Sequence, residues 1–362
     1  MKRILLASAS IVAFAGAAAA EVTFGGEATL GYNDTDTASD ADDDLGFYWD
    51  LEVGTTLTQE LDNGITAAAT FEFDVVDNDL GVDLEADSFV LSLTSDVAGL
   101  YFGDTAQAAD SKWVSAGDMA QDGFSETDGE DVIRGDFAVY GIDTSVSAIV
   151  DNTTEEDDDG ASDDVLDQYS IGMDGNFGQF GFVVAYQSEE DDLEGASGDF
   201  NPEELLGVSV STAFAGADVR LAYARDMTNE DDSTGIEVAY PVGPVTVGGY
   251  YVIESADGDD DTWGVSADYT SGPITVATFY EHEQDGSEDW AIEGSYDLNN
   301  GLIVLAGVSD AGDDYYVAST YELGGGAQLL ASFAEDDDDD SEDEIGDPEY
   351  QDGATIEVSF EF

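Results

Sequence analysis

Residues 21–33, Glu-Val-Thr-Phe-Gly-Gly-Glu-Ala-Thr-Leu-Gly-Tyr-Asn, set Val22, Phe24, Ala28, Leu30 and Tyr32 at alternate positions among small or polar residues. The end of the chain repeats the pattern with Ala354, Ile356, Val358, Phe360 and Phe362. Successive side chains of a strand point to opposite faces, so this rhythm makes strands with one apolar and one polar side. About twenty such segments run from Glu21 to Phe362, among them 46–58, 65–75, 86–95, 99–104, 132–142 and 144–151. Long acidic stretches (34–44, 154–164, 188–199, 335–347) alternate with short Gly-, Asn- or Pro-bearing turns (60–64, 96–99, 215–217, 241–244, 297–301). That order suits an antiparallel ring with extended loops at one rim and tight hairpins at the other. The expected fold is all-β, a closed antiparallel transmembrane β-barrel of even strand number with both termini at the short-turn rim.

The second face of each segment supports a wet interior. Glu27, Thr29, Asp50, Glu52, Thr70, Glu72, Asp74, Ser209 and Ser211 share the parity opposite to the apolar residues, and such a set lines water rather than a packed core. Phe47 and Trp49, Phe71 and Phe73, Trp263 and Tyr269, and Trp290 and Tyr296 fall near the ends of apolar faces, where aromatic girdles meet the two bilayer interfaces. No stretch beyond the leader approaches the roughly 18 apolar residues of a spanning helix. Cysteine is absent, which excludes disulfides and thiolate chemistry.

Residues 1–20 read as a signal peptide, with Lys2 and Arg3 ahead of the apolar run Ile4 to Phe14 and cleavage after Ala20. The barrel domain is then 21–362. All 85 acidic residues lie in it, against four basic ones, Lys112, Arg134, Arg220 and Arg225. Nucleic acid is excluded as a partner, because phosphates are bound by clustered Lys and Arg. Cations are favoured, and the self-repulsion points to a saline or Ca²⁺-rich habitat in which a screening length of about 3 Å at 1 M salt weakens it.

The opening Glu21-Val-Thr-Phe-Gly-Gly-Glu-Ala-Thr-Leu-Gly-Tyr32, the stretch Phe89-Val-Leu-Ser-Leu-Thr-Ser-Asp-Val-Ala-Gly-Leu-Tyr-Phe-Gly-Asp104 and the ending Val358-Ser-Phe-Glu-Phe362 resemble the general diffusion porins of Gram-negative bacteria, especially the purple non-sulfur alphaproteobacterial type. The resemblance implies a sixteen-stranded homotrimer in the outer membrane, in contact with its lipid and lipopolysaccharide. It also implies that the assembly machinery reads the terminal Phe362. The third long loop of such proteins folds inward to narrow the pore, and the matching segment here is 105–131. Sixteen strands disagree with the count of about twenty.

Family members usually set arginines on the wall facing that loop, and this chain departs from the pattern. The wall offers Asp50, Glu52, Glu72 and Asp74, the loop Asp104, Asp110, Lys112, Asp118, Asp122 and Glu126, with Arg134 just beyond. The expected function is passive diffusion of small hydrophilic solutes and ions, with cations preferred. Asp118, Asp122, Asp128, Glu130 and Asp131 offer oxygen ligands for Ca²⁺, although no stretch has EF-hand spacing. No other cofactor is expected. An enzyme is disfavoured, since His282 is the single histidine and no Gly-x-Ser-x-Gly elbow occurs. The remaining alternative, a secreted or surface acidic β-protein that binds Ca²⁺ without conducting, would carry regular Gly-Asp repeats, which the sequence lacks.

Overall fold

A computed structural model describes residues 9–10, 20–34, 46–77, 81–126, 130–150, 166–190, 200–256, 258, 260–309, 314–335 and 350–362. Twenty strands form one ring, beginning with β2 (Glu21–Asn33), β3 (Phe47–Glu60), β4 (Thr66–Asp77), β5 (Gly81–Thr94), β6 (Ala98–Gly103), β7 (Val132–Val139) and β8 (Ile142–Val150). It continues through β9 (Leu166–Phe177), β10 (Phe180–Gln187), β11 (Leu205–Phe214), β12 (Ala217–Asp226), β13 (Asp232–Val242), β14 (Val245–Glu254) and β15 (Trp263–Ser271). The last members are β16 (Ile274–His282), β17 (Glu288–Asp297), β18 (Leu302–Ser309), β19 (Asp314–Gly324), β20 (Ala327–Glu335) and β21 (Gly353–Glu361). Each pairs antiparallel with its sequence neighbour, and β21 returns to β2. A two-residue bridge, β1 (Ala9–Ser10), touches β2 at Thr23 and Phe24 outside the ring.

Closure follows from the first and last strands having matched parity. Leu30 faces Val358 and Ala28 faces Phe360 across the seam, so both apolar sets share the outer side. Beyond the strand end, Gly26 N–H donates to Phe362 O at 2.9 Å and Phe362 N–H returns a bond to Gly26 O at 3.1 Å. A Cβ on Gly26 would lie 2.5 Å from Glu52 O, so glycine lets three strands meet there. Every hairpin is a ring member, because removing any one would leave two unpaired edges. The sixteen strands implied by resemblance are therefore corrected to twenty, in agreement with the segment count.

Turn chemistry sets one rim. Tyr140–Gly141 and Ala215–Gly216 adopt positive φ at both central positions, the two-residue turn whose twist matches that of the flanking strands. The opposite rim carries the longer connections, of which 104–131 is the third. Phe24, Leu30, Phe47, Val210, Leu221, Val265, Ile292 and Ile356 all remain exposed on the outer face. Tyr32 meets Phe47 edge to face at 5.1 Å, and Trp263 lies 5.6 Å from Tyr280 in the outer aromatic layer. Most of their inner-face neighbours are polar or small, Phe279 beside Tyr280 being an exception, which matches the alternation expected from the sequence.

Buried apolar residues gather mainly where 105–126 meets the sheet. Ala116 and Met119 pack with Ala222, Ala224 and Val252, while Ala109 and Phe124 pack with Ala185 and Leu205. The two faces of a strand should therefore tolerate charge unequally. Ile356→Arg, on the outer face of β21, is expected to cost about 2–4 kcal/mol in lipid. Ser359→Arg, on the inner face of the same strand, should cost far less. Denaturant titration of the folded barrel in lipid vesicles measures both, and equal losses would contradict the inside–outside assignment.

Candidate functional site

Residues 104–126 leave β6, turn at Gly103 (φ +111°) and run along the inner faces of successive strands from β7 to β15. The segment runs outward as far as Thr262, beside β15, at Asp118 and then doubles back to Gln187 on β10 at Ser125. Gln107 donates through Nε2 to Gln168 Oε1 at 2.9 Å, Ala108 N–H to Ser147 Oγ at 2.9 Å, and Ala109 N–H to Ser170 Oγ at 2.6 Å. Farther on, Gln121 N–H reaches Ser233 Oγ at 3.1 Å, Ala120 N–H reaches Glu254 Oε1 at 3.1 Å, and the Thr262 hydroxyl donates to Asp118 O at 2.6 Å. The end of the segment is held by Ser125, whose N–H donates to Gln187 Oε1 at 2.8 Å and whose hydroxyl donates to Asn201 O at 2.9 Å. Beyond Asp104 the segment thus satisfies its backbone polar groups on wall side chains and, at Ser111, Trp113 and Phe124, on its own carbonyls, as buried amides require.

The wall beneath is carved to receive it. Modest side chains stand at inward positions on consecutive strands: Ser145 and Ser147, Ser170 and Gly172, Ala185, Gly207 and Ser209, Ala222 and Ala224, then Ser233 and Gly235. Trp113 lies over Gly207 and 5.6 Å from Phe124, with its Nε1 donating to Asp122 Oδ2 at 2.9 Å. Sequence reasoning named 105–131 but missed this track. The available signal was the concentration of Gly, Ala and Ser at one parity over six neighbouring strands.

Positive charge in this region is fully matched. Lys112 Nζ lies 2.7 Å from Asp174, Arg134 Nε 3.2 Å from Asp136, and Arg220 3.1 Å from Ser115 O and 2.8 Å from Glu237. Arg134 also donates to Ala106 O at 2.7 Å and stands 5.0 Å over the Tyr101 ring.

A second group of charges occupies a different arc. Asp50 and Glu52 on β3, and Glu72 and Asp74 on β4, have the parity opposite to exposed Phe47 and Trp49 or to Phe71 and Phe73. Glu52 stands opposite both Glu27 and Asp74, and Glu27 opposite Glu361. Like charges so placed repel across a sheet, an arrangement that attracts counter-cations. Glu72 accepts a bond from Ser88 at 2.8 Å, and Glu357 one from Tyr48 at 2.6 Å. Glu357 and Glu361 were absent from the sequence-derived set, although their parity in the last strand marks them as inward.

Other expected positions fall as follows. Asp104 N–H donates to Phe89 O where the segment begins, and Asp131 O accepts from Val150 N–H where it ends. Asp128 lies outside the described residues. Asp118, Asp122, Glu130 and Asp131 do not gather into a group able to hold a metal among the described residues. His282 has the outward parity of Ile274 and lies 6.3 Å from the Trp263 ring, with Asp260 at 4.0 Å.

The Gram-negative porin family matches residues 7–341. Among solved structures, a mutant of Rh. blastica porin carrying five substitutions superposes with a TM-score of 0.51 at 14% identity, covering 94% of this chain and 100% of that one. A triple mutant of Rhodopseudomonas blastica porin gives 0.50 at 14% identity with the same coverage. At that identity the likeness speaks for the fold alone. Among curated proteins none matches significantly.

Two loop acids have unusual proton affinity. Burial, reinforced by Glu126 and opposed by Arg134, pushes Asp110 up to about 6. Burial likewise raises Asp122 to about 6, with Asp118 and Glu254 adding to the effect and the Trp113 N–H opposing it. Undocked, both carboxyls return to about 3.8. The docked segment therefore binds more protons between these limits, so docking strengthens as pH falls through 6 toward 4 and weakens above 6. Asp122→Asn keeps an oxygen for Trp113 Nε1 and abolishes one of the two titrations. Thermal unfolding followed from pH 7 to 5 should rise less steeply in this variant than in the parent, and an unchanged slope would contradict the assignment.

Proposed function

The chain belongs to the Gram-negative porin family, whose members are diffusion channels of the outer membrane, and we propose that this one passes small hydrophilic solutes with a preference for cations. One observation carries the preference. Lys112, Arg134 and Arg220 each stand against a carboxylate, whereas Glu27, Asp50, Glu52, Asp74, Glu357 and Glu361 occupy inner positions on four strands that contain no Lys or Arg. A fixed negative wall raises the local concentration of cations and depletes anions.

In this reading segment 105–131 is the constriction, and the eyelet lies between it and the acidic arc of β2, β3, β4 and β21. The contacts of 106–125 with inner-face side chains support that placement. Calcium needs no dedicated cage here; it acts with other cations as a counter-ion of the long acidic loops. Residues 1–20 are removed after Ala20, Phe362 serves as the assembly signal, and the mature barrel forms a homotrimer among lipopolysaccharide. No catalytic step is assigned, and solute moves down its own gradient.

The test is a planar-bilayer recording under a KCl gradient. The reversal potential should report cation preference at low salt. The preference should decline as the screening length shortens from about 30 Å at 0.01 M to about 3 Å at 1 M. Glu52→Gln combined with Asp74→Asn should reduce it at fixed salt. Anion preference in the parent would refute the selectivity, and absence of conductance from correctly folded protein would refute the channel.

A further inference from the structure

Past residue 20 the chain carries four Lys and Arg side chains among 85 acids, and three of the four, Lys112, Arg134 and Arg220, hold segment 105–126 to the wall. Arg134 reaches out from β7 to the carbonyl of Ala106, and Arg220 from β12 to the carbonyl of Ser115. Lys112 reaches the other way, from the segment to Asp174 on β9. The attachments fall at positions 106, 112 and 115, so they pin the stretch that crosses from β7 to β12. Each cation also has a carboxylate within 3.2 Å, which cancels its charge toward the lumen while leaving its directed N–H bonds in place.

Beside the attachments the wall approaches the segment at three glycines on alternate strands. A Cβ on Gly172 would stand 2.0 Å from Ala108 O, one on Gly207 2.5 Å from the Trp113 ring, and one on Gly235 2.1 Å from Ala116 O. Two of these approaches are to backbone oxygen, which cannot swing aside as a long side chain does. These glycines have ordinary strand conformation, so space and not φ is what demands them.

Resting on the reading of 105–131 as the constriction, we propose that Lys112, Arg134 and Arg220, with the seat formed by Gly172, Gly207 and Gly235, are the positioning residues that fix the aperture of the channel. Their role is mechanical: the cations act as clamps on loop carbonyls and on a wall carboxylate, and they supply no net positive field to passing ions. The acids that select ions and the residues that hold the aperture are thus separate sets in this chain.

The absence of cysteine allows a direct test in the full-length protein. Met119 belongs to the docked segment and is buried against Ala222, Ala224 and Val252 of the wall, and Met119→Cys removes volume, so its thiol reports undocking without forcing it. In the otherwise unchanged barrel, a water-soluble maleimide should label this thiol slowly. Adding Gly235→Val should raise the labelling rate about tenfold or more, the scale expected of an overpacked seat acting on a docking equilibrium. Single-channel current should become noisy. The charge-neutral pair Arg220→Met with Glu237→Gln introduces no clash and provides a second route should Gly235→Val fail to fold. It should raise labelling while leaving the reversal potential unchanged.

Heat-modifiable migration verifies barrel closure for each variant. A protected thiol and steady current in a closed barrel carrying either change would overturn the proposal. So would an altered reversal potential with the thiol still protected, which would make Arg220 a direct contact for ions. A folded parent without any current would instead defeat the channel reading on which the proposal rests, so the two failures are distinguishable.

Discussion

A backbone amide in hydrocarbon has no water to turn to, and the rest of this structure depends on that constraint. The sheet can cross a membrane only if its first strand finds its last, as β2 finds β21 through Leu30 and Val358 and through the reciprocal Gly26–Phe362 bonds. Closure makes strand number a property of the whole ring, since no hairpin can be set aside as a flap without exposing two edges. It also divides side chains into two populations. Those facing outward must be apolar, whereas those facing inward are free to be acidic because the lumen is wet.

Ring size then creates a second requirement. Twenty strands about 4.8 Å apart and tilted by about 40° enclose a cylinder of roughly 20 Å radius, far wider than side chains from the wall can fill. Close packing of a globular kind appears chiefly where residues 104–126 meet the sheet, in the clusters around Ala116 and Ala109. Small inward residues on β8 to β13 are the complement of that segment. Elsewhere the inner face carries larger acids and tyrosines, such as the Tyr316–Glu293 and Tyr250–Glu281 pairs.

Charge is arranged with the same division of labour. Cations near the segment are each matched, while the β2, β3, β4 and β21 arc accumulates acids in register. Packing also alters two loop acids: Asp110 and Asp122 are both raised to about 6 by burial, which couples proton binding to docking. Asp118, four residues away, adds to the effect of burial on Asp122, but the other charges act from farther off. Glu126 acts on Asp110 from sixteen positions away and Glu254 on Asp122 from a different strand.

Alternation around Val22 to Tyr32 and Ile356 to Phe362, with hairpin chemistry at Tyr140–Gly141 and Ala215–Gly216, was enough to read strands, faces and the order of long and short loops. Side-chain parity is a local property, so Asp50, Glu52, Glu72 and Asp74 could be assigned to the inner face from the sequence alone. Strand number was legible only as a count, and resemblance pulled it toward sixteen, because a segment pattern cannot say whether every hairpin joins the ring. The meeting of Arg220 with Ser115, of Gly235 with Ala116 and of Glu27 with Glu361 belonged to tertiary structure. Those pairs are separated by 105 or more residues, and no local periodicity encodes which inward positions face which stretch of loop once the cylinder closes.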